Sequence, residues 1–231
     1  DCSNSPAGVN GVGYPCFRPN ALPLILLSTD EAPTSTYNCP SLQTIINEAN
    51  NISAKIIGIH GSGTSAWSNM ETLATGTGAV DSNNGNAPLV MNGDNTNAAA
   101  AIENGIRLLA NGVPLDLNAT TVDDPGDSVD AVSEFVDRLE TLQLGTAECT
   151  AGLTDQDSNS DGYPDLYVGV IAGTPVCWRL VPKSNTTVQP TSEPQLFRAT
   201  VEVYGDGVTL LDSRDVYFLV PPVIEGPVGP Q

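Results

Sequence analysis

Positive charge is scarce in this sequence. Lys55 and Lys183 are its only lysines, and 8 Lys and Arg stand against 27 Asp and Glu, for a net charge of −19. Nucleic acids and anionic membranes are held by clusters of Lys and Arg, so this balance argues against both as partners. No apolar run approaches the ~20 residues of a membrane-spanning helix. No basic-then-apolar leader is visible and there is no initiator Met, so a start at Asp1 reads as a mature, processed chain. None of the cysteines forms a C-x-x-C pair, which argues against zinc and thioredoxin-like sites. A G-x-S-x-G elbow, a P-loop and a G-x-G-x-x-G following a strand are all missing. His60 is the only histidine. Its "GIHGSG" setting invites a hydrolase reading, but a lone histidine at a strand end is usually structural. We expect no enzyme.

The apolar share of 40% is enough for real cores. The surplus acid serves either solubility through repulsion or the holding of divalent cations. Abundant Thr, Asn, Ser, Gly and Pro beside so little Lys give the profile of a secreted or cell-surface, extracellular protein. The five cysteines agree with an oxidising compartment. Cys2 with Cys16 would close an N-terminal loop, and Cys149 with Cys177 would bracket a later one. Cys39 is then left for a partner on another chain, or as a buried free thiol; pairing of Cys16 with Cys39 is the alternative. Asn51, Asn118 and Asn185 head Asn-x-Ser/Thr sites.

The 231 residues suit two domains of ordinary size. Residues 1–20 read as a disulfide-tied loop. Over 21–112, apolar runs alternate with helical periods. "ALPLILLST" and "AKIIGIHGSG" are strands buried on both faces, and "APLVMNG" is a shorter one. "SLQTIINEANNI", capped by Ser41, "AWSNMETLATGTG" and "NTNAAAAIENGIRLLANG" are helices. This alternation predicts a parallel α/β sheet. Over 113–220 the polarity alternates in five stretches, "VPLDLNATTVD", "DLYVGVIAG", "TPVCWRLVP", "QLFRATVEVYG" and "VTLLDSRDVYFLVPP". They predict an all-β, Ig-like sandwich whose clearest hairpin turns at Gly205-Asp206-Gly207. "DAVSEFVDRLETL" has a helical period but lies among strands. Residues 221–231 are a Pro/Gly-rich tail, extended or offered as a strand to a neighbour.

On "LPLILLSTDEAP", "AKIIGIHGSG" and "METLATGTGAV", residues 21–111 resemble the later part of a von Willebrand factor A (VWA) domain, a Rossmann-like fold. The resemblance implies that Asp30 is a metal-site carboxylate. Asp1, Ser3 and Ser5 spell that family's D-x-S-x-S metal motif. There, however, the motif ends a buried strand, and a long stretch of helices and strands separates it from the residue matching Asp30. Here no strand can precede Asp1, so "DCSNS" reads as a chance match and the front of the fold as missing. Three strands alone leave an unpaired edge and an uncovered face, which proteins avoid. We therefore expect the sheet to be completed by another polypeptide or an identical subunit, with Cys39 suited to a covalent tie. A Mg²⁺ at Asp30 would be shared with that chain. The resemblance implies adhesion, or the binding of a protein or glycan ligand. The alternative is a structural subunit of an extracellular filament or surface assembly.

The sharpest chemical signal is "DQDSNSDGYPD". Asp157, Asn159 and Asp161 alternate, Gly162 permits a sharp turn, Tyr163 offers a carbonyl, and Asp165 follows, with Asp155 ahead. Alternate oxygens let one tight loop face a single hard cation. Val168 stands where an EF-hand carries its bidentate Glu, so the stretch resembles the shorter loops of secreted calcium proteins. It predicts a Ca²⁺ site that stiffens the sandwich. "VDDPGDSVD", residues 122–130, is a weaker candidate that reads as an acidic turn.

Overall fold

The structure is a computed structural model that describes residues 17–32, 40–61, 65–94 and 96–223. It forms two compact units. One comprises Asp1–Leu117, Val168–Pro175 and Gly205–Thr209; the other comprises Asn118–Tyr167, Val176–Tyr204 and Leu210–Gln231. Between the two units the chain first crosses from Leu117 to Asn118, and two short later stretches belong to the first unit.

In the first unit, β1 (Leu24–Thr29), α1 (Leu42–Asn51), β2 (Lys55–His60), α2 (Ser65–Gly76), β3 (Val80–Asp81), β4 (Ala87–Pro88), β5 (Val90–Asn92) and α3 (Ala98–Gly112) follow in order. β2 lies between β1 and β5 and is parallel to both, with Thr29 opposite His60 and His60 opposite Asn92. Among the described strands, β1 borders β2 alone. Successive strand side chains point to opposite faces, and β2 uses both. Ile56 joins Ile46 and Ala49 of α1 and Leu73 of α2, whereas Ile57 and Ile59 join Met91 of β5 and Ala101 of α3. The single expected strand over residues 87–93 is divided, because Ala87 and Pro88 pair with β3 while Val90 to Asn92 pair with β2.

Local chemistry fixes the helix ends. The Ser41 side chain accepts from Thr44 N at 3.1 Å, supplying the N-cap of α1. At the end of α2, a Cβ on Gly76 would lie 2.5 Å from Ile46, so only glycine lets α1 come this close. The buried Thr77 hydroxyl accepts from Ile56 N and donates to Leu73 O, locking the helix end onto β2. Lys55, near the start of β2, has its ammonium 2.8 Å from Asp206 Oδ2 but off the hydrogen-bonding direction. Asp206 is held further by Ser53 Oγ, which donates to its carbonyl, and by exchange with Asp116 through its own N–H and Oδ1.

The remaining elements are β6 (Leu115–Asp123), α4 (Ala131–Phe135), β7 (Val136–Thr141), β8 (Asp155–Gln156), β9 (Leu166–Val170), β10 (Trp178–Pro182), β11 (Gln195–Gly205) and β12 (Thr209–Val220). One sheet has the order β12-β11-β6-β9-β8; the other is an antiparallel pair of β7 and β10. The ambiguous stretch from Asp130 is helix and then strand: Asp130 caps one turn by accepting from Ser133 N, and the extended run starts at Val136. The β11–β12 turn carries positive φ at both Asp206 and Gly207, the twist that two-residue hairpin turns favour.

Two aromatic centres hold the second unit together. Phe135 stacks on Phe218 at 5.2 Å and tilts against Phe197 at 5.5 Å, amid Ala131, Ala199 and Val220. Tyr167 of β9 is fully buried, edge-on to Trp178 of β10. Its hydroxyl shares its one hydrogen between the carbonyls of Leu142 and Cys177 and accepts from Leu142 N. Burial pushes the Tyr167 phenol up from its ordinary value. The expected Cys149–Cys177 disulfide is present, with a Cα separation of 5.3 Å. Cys2, Cys16 and Cys39 lie outside the described residues, as do Asp1, Ser3, Ser5 and the tail from residue 224.

Candidate functional site

The loop between β8 and β9 is built by its own amides. Asp161 N donates to Asp157 Oδ1 at 3.1 Å and to Asn159 Oδ1 at 2.9 Å, bringing those two oxygens onto one hydrogen. Gly162 N donates to Asp157 Oδ2 at 2.8 Å, and Tyr163 N to Asp161 Oδ1 at 2.9 Å. Asp165 closes the loop from its far end, accepting from Ser158 N at 2.7 Å and from Ser158 Oγ at 2.8 Å. Positive φ at Ser160 and Gly162 lets the chain double back so tightly. Asp157, Asn159, Asp161 and Asp165 thus belong to one turn.

Asp155 does not join them. Its Oδ2 accepts from Thr141 Oγ1 at 2.8 Å and from Gln143 Nε2 at 3.0 Å, tying β8 to the end of β7. Among the described residues, no three His, Cys, Asp or Glu side chains converge as a metal cluster. The fit to a hard cation is therefore one of donor chemistry. All the loop's side-chain donors are oxygens, and each carboxylate oxygen keeps lone-pair capacity beyond the amide it accepts. Asn159 and the loop carbonyls are further oxygen donors of the kind such cations take.

A charged lattice adjoins the loop. The Arg138 guanidinium lies 3.6 Å from the centre of the Tyr163 ring, a cation–π contact. Arg138 also pairs with Asp137 and Glu140, and Arg179 pairs with Glu140 from the neighbouring strand. Glu140 is buried, and the Arg179 and Arg138 guanidiniums hold its carboxyl below the ordinary value. Trp178 Nε1 donates to Asp165 O at 3.0 Å, which fastens the loop's end to β10. Spacing revealed the loop's own oxygens. It gave no sign of Thr141, Gln143, Arg138 or Trp178, which reach it only through strand pairing.

The carboxyl ends of the parallel strands make a second polar place. Asp30 is exposed and sits beside Gly61, where a Cβ would come 3.5 Å from its own. His60 is buried, its Nε2 has no hydrogen-bond partner among the described residues, and its ring stands edge-on to Trp67 at 5.3 Å. Asp94 accepts from Thr96 Oγ1 and from Thr96 and Asn97 N–H groups, and these bonds, that of the Thr96 hydroxyl foremost, lower its carboxyl value. The acidic turn over residues 122–130 is satisfied by nearby amides and by Arg198. Asp124 accepts from Gly126 N and Arg198, Asp127 from Val129 N and Arg198 N, and Asp123 from Ala131 N. Arg198 supplies the positive charge of that turn. No family model, no curated protein and no solved structure matches this chain.

Proposed function

We propose that this chain is an extracellular calcium-binding module of VWA-like, adhesive character, which presents a protein- or glycan-binding surface and does no catalysis. The observation that carries the reading is the amide-braced turn from Asp157 to Asp165, which gathers the alternate oxygens on one loop. Asp157, Asn159, Asp161 and Asp165, with the Tyr163 carbonyl, would hold Ca²⁺; Asp155 supports the loop through Thr141 and Gln143. The ion would draw the carboxylates partly away from their amides and cross-link a stretch that otherwise rests on a few exposed bonds. Affinity on the order of 0.1–1 mM is expected for an extracellular module of this kind. Calorimetric titration of the full chain with Ca²⁺ and with Mg²⁺ tests this. Saturable Ca²⁺ binding that weakens at least about tenfold in Asp161→Ala, with Mg²⁺ weaker, is expected. No Ca²⁺-dependent heat or stabilisation at several millimolar would discard the reading.

The second reading is a subunit of an extracellular filament or surface assembly. It is favoured by β1, which borders one strand alone among those described, and by exposed apolar side chains on β12, itself an edge strand. In this reading, as in the first, a second polypeptide or subunit completes the parallel sheet, and Asp30 contributes to a Mg²⁺ site shared with it.

A further inference from the structure

We propose that the groove beside β12 receives the Pro/Gly-rich tail of a second copy of this chain, with Glu225 of the tail meeting Lys183. β12 is an edge of its sheet, with Tyr217 57% and Leu219 64% exposed, and Leu196 of the adjacent β11 59% exposed. Exposed apolar edges invite another strand, and proteins that remain single usually blunt them with charge or proline. Against this edge lies a groove of about 290 Å³ lined by Phe135, Pro182, Lys183, Tyr217 and Leu219. Lys183 Nζ donates to Ser133 O at 2.8 Å, and no carboxylate among the described residues forms an ion pair with it. An unmatched ammonium is unusual in a chain of net charge −19. It calls for an occupant that is apolar, extended and carries one acid.

The tail "PPVIEGPVGPQ" has that chemistry. Glu225 is its only charged side chain, Val223 and Ile224 precede it, and four prolines favour an extended backbone. Aromatic-lined grooves are the usual seats for such segments. At about 3.1 Å per residue, the eight residues from Ile224 span roughly 25 Å, ample for the groove. Within one copy the chain lines the groove as far as Pro221, and Val223 N then donates to Thr191 O at 2.8 Å, away from the residues that line it, so the tail of a second copy is the occupant we infer. Tail-into-groove contact between copies is heterologous and propagates unless the rotation closes a ring. The inference rests on the assembly reading above.

The test is sedimentation equilibrium of the full chain, of Lys183→Glu, of Glu225→Lys and of the double variant. We expect the wild-type mass to climb with concentration, each single reversal to weaken association at least about tenfold, and the double variant to recover most of the loss. Equal urea midpoints for all four chains would separate lost contact from lost folding. Wild-type chain that stays a single copy at every concentration overturns the proposal and the assembly reading together. Association that ignores the single reversals, or that the double variant does not rescue, overturns only the proposal.

Discussion

Tyr167 illustrates how one atom can join several strands. Its hydroxyl meets the N–H and carbonyl of Leu142 and the carbonyl of Cys177. Tyr167→Phe keeps the ring's packing on Trp178 and the backbone bond from Leu142 N to Cys177 O, but takes from the Leu142 carbonyl the phenol that donates to it. We expect a loss of about 1–3 kcal/mol, read as a lower urea midpoint with an unchanged slope. A midpoint equal to wild type would mean that water enters and replaces the phenol. Gly76 makes the complementary case, a position where the absence of an atom matters. Gly76→Ala drives a methyl into Ile46 and should cost about 1–3 kcal/mol, with the near-UV signal weakened at 25 °C. The "TGTG" stretch is thus intelligible without any ligand: one residue admits the neighbouring helix and the next, Thr77, bonds the strand.

At the scale of elements, β7 and β10 are held together by Glu140 between Arg138 and Arg179. The Glu140 carboxyl is depressed in the folded chain relative to an unfolded one. Its contribution is therefore fully present above the unfolded carboxylate value of about 4.3 and is lost as pH falls through the lower folded value. Glu140→Gln should lower the urea midpoint at pH 7, and the gap to wild type should close as the medium is acidified into that window. A gap that stays constant to the lowest folded pH would show that the charge is irrelevant and only the shape of the side chain counts. The Asp157–Asp165 loop depends on the same elements. Arg138 lies over Tyr163, and Trp178 fixes Asp165 O, so the loop's ends inherit the order of β7 and β10.

At the scale of the whole molecule, acid exceeds base more than threefold, with 27 Asp and Glu to 8 Lys and Arg. Repulsion of this kind opposes the compact state and is screened within about 10 Å at 0.1 M salt. Raising NaCl from a few millimolar to about 0.15 M should therefore raise the melting temperature by a few degrees. CaCl₂ at equal ionic strength should raise it further, through occupied loops rather than screening. A melting temperature that falls with NaCl would show that the ion pairs of Lys55, Arg138, Arg179 and Arg198 outweigh the general repulsion. The Cys149–Cys177 bridge contributes at this scale too. It closes a loop with a sequence separation of 28, worth about 3–4 kcal/mol by chain entropy, so reduction should lower stability by that order.

What the sequence determined by itself were the properties carried by neighbours along the chain. Apolar runs fixed β1 and β2, helical periods fixed α1, α2 and α3, and alternation fixed β6, β9, β10, β11 and β12, because burial periodicity is a local pattern. The oxygens from Asp157 to Asp165 were legible for the same reason, since one turn supplies them all. The Cys149–Cys177 pair was legible as one reading among the possible pairings. Only the tertiary structure decided what distant residues do to one another. It took Asp155 out of the loop and gave it to Thr141 and Gln143, and it made the acidic turn over residues 122–130 a seat for Arg198. It also divided the stretch after Asp130 into helix and strand, and sent Gly205–Thr209 to the first unit through Asp206. Hydrogen bonds and ion pairs act at about 3 Å whatever the separation in sequence, and strand pairing alone decides which residues come within that distance.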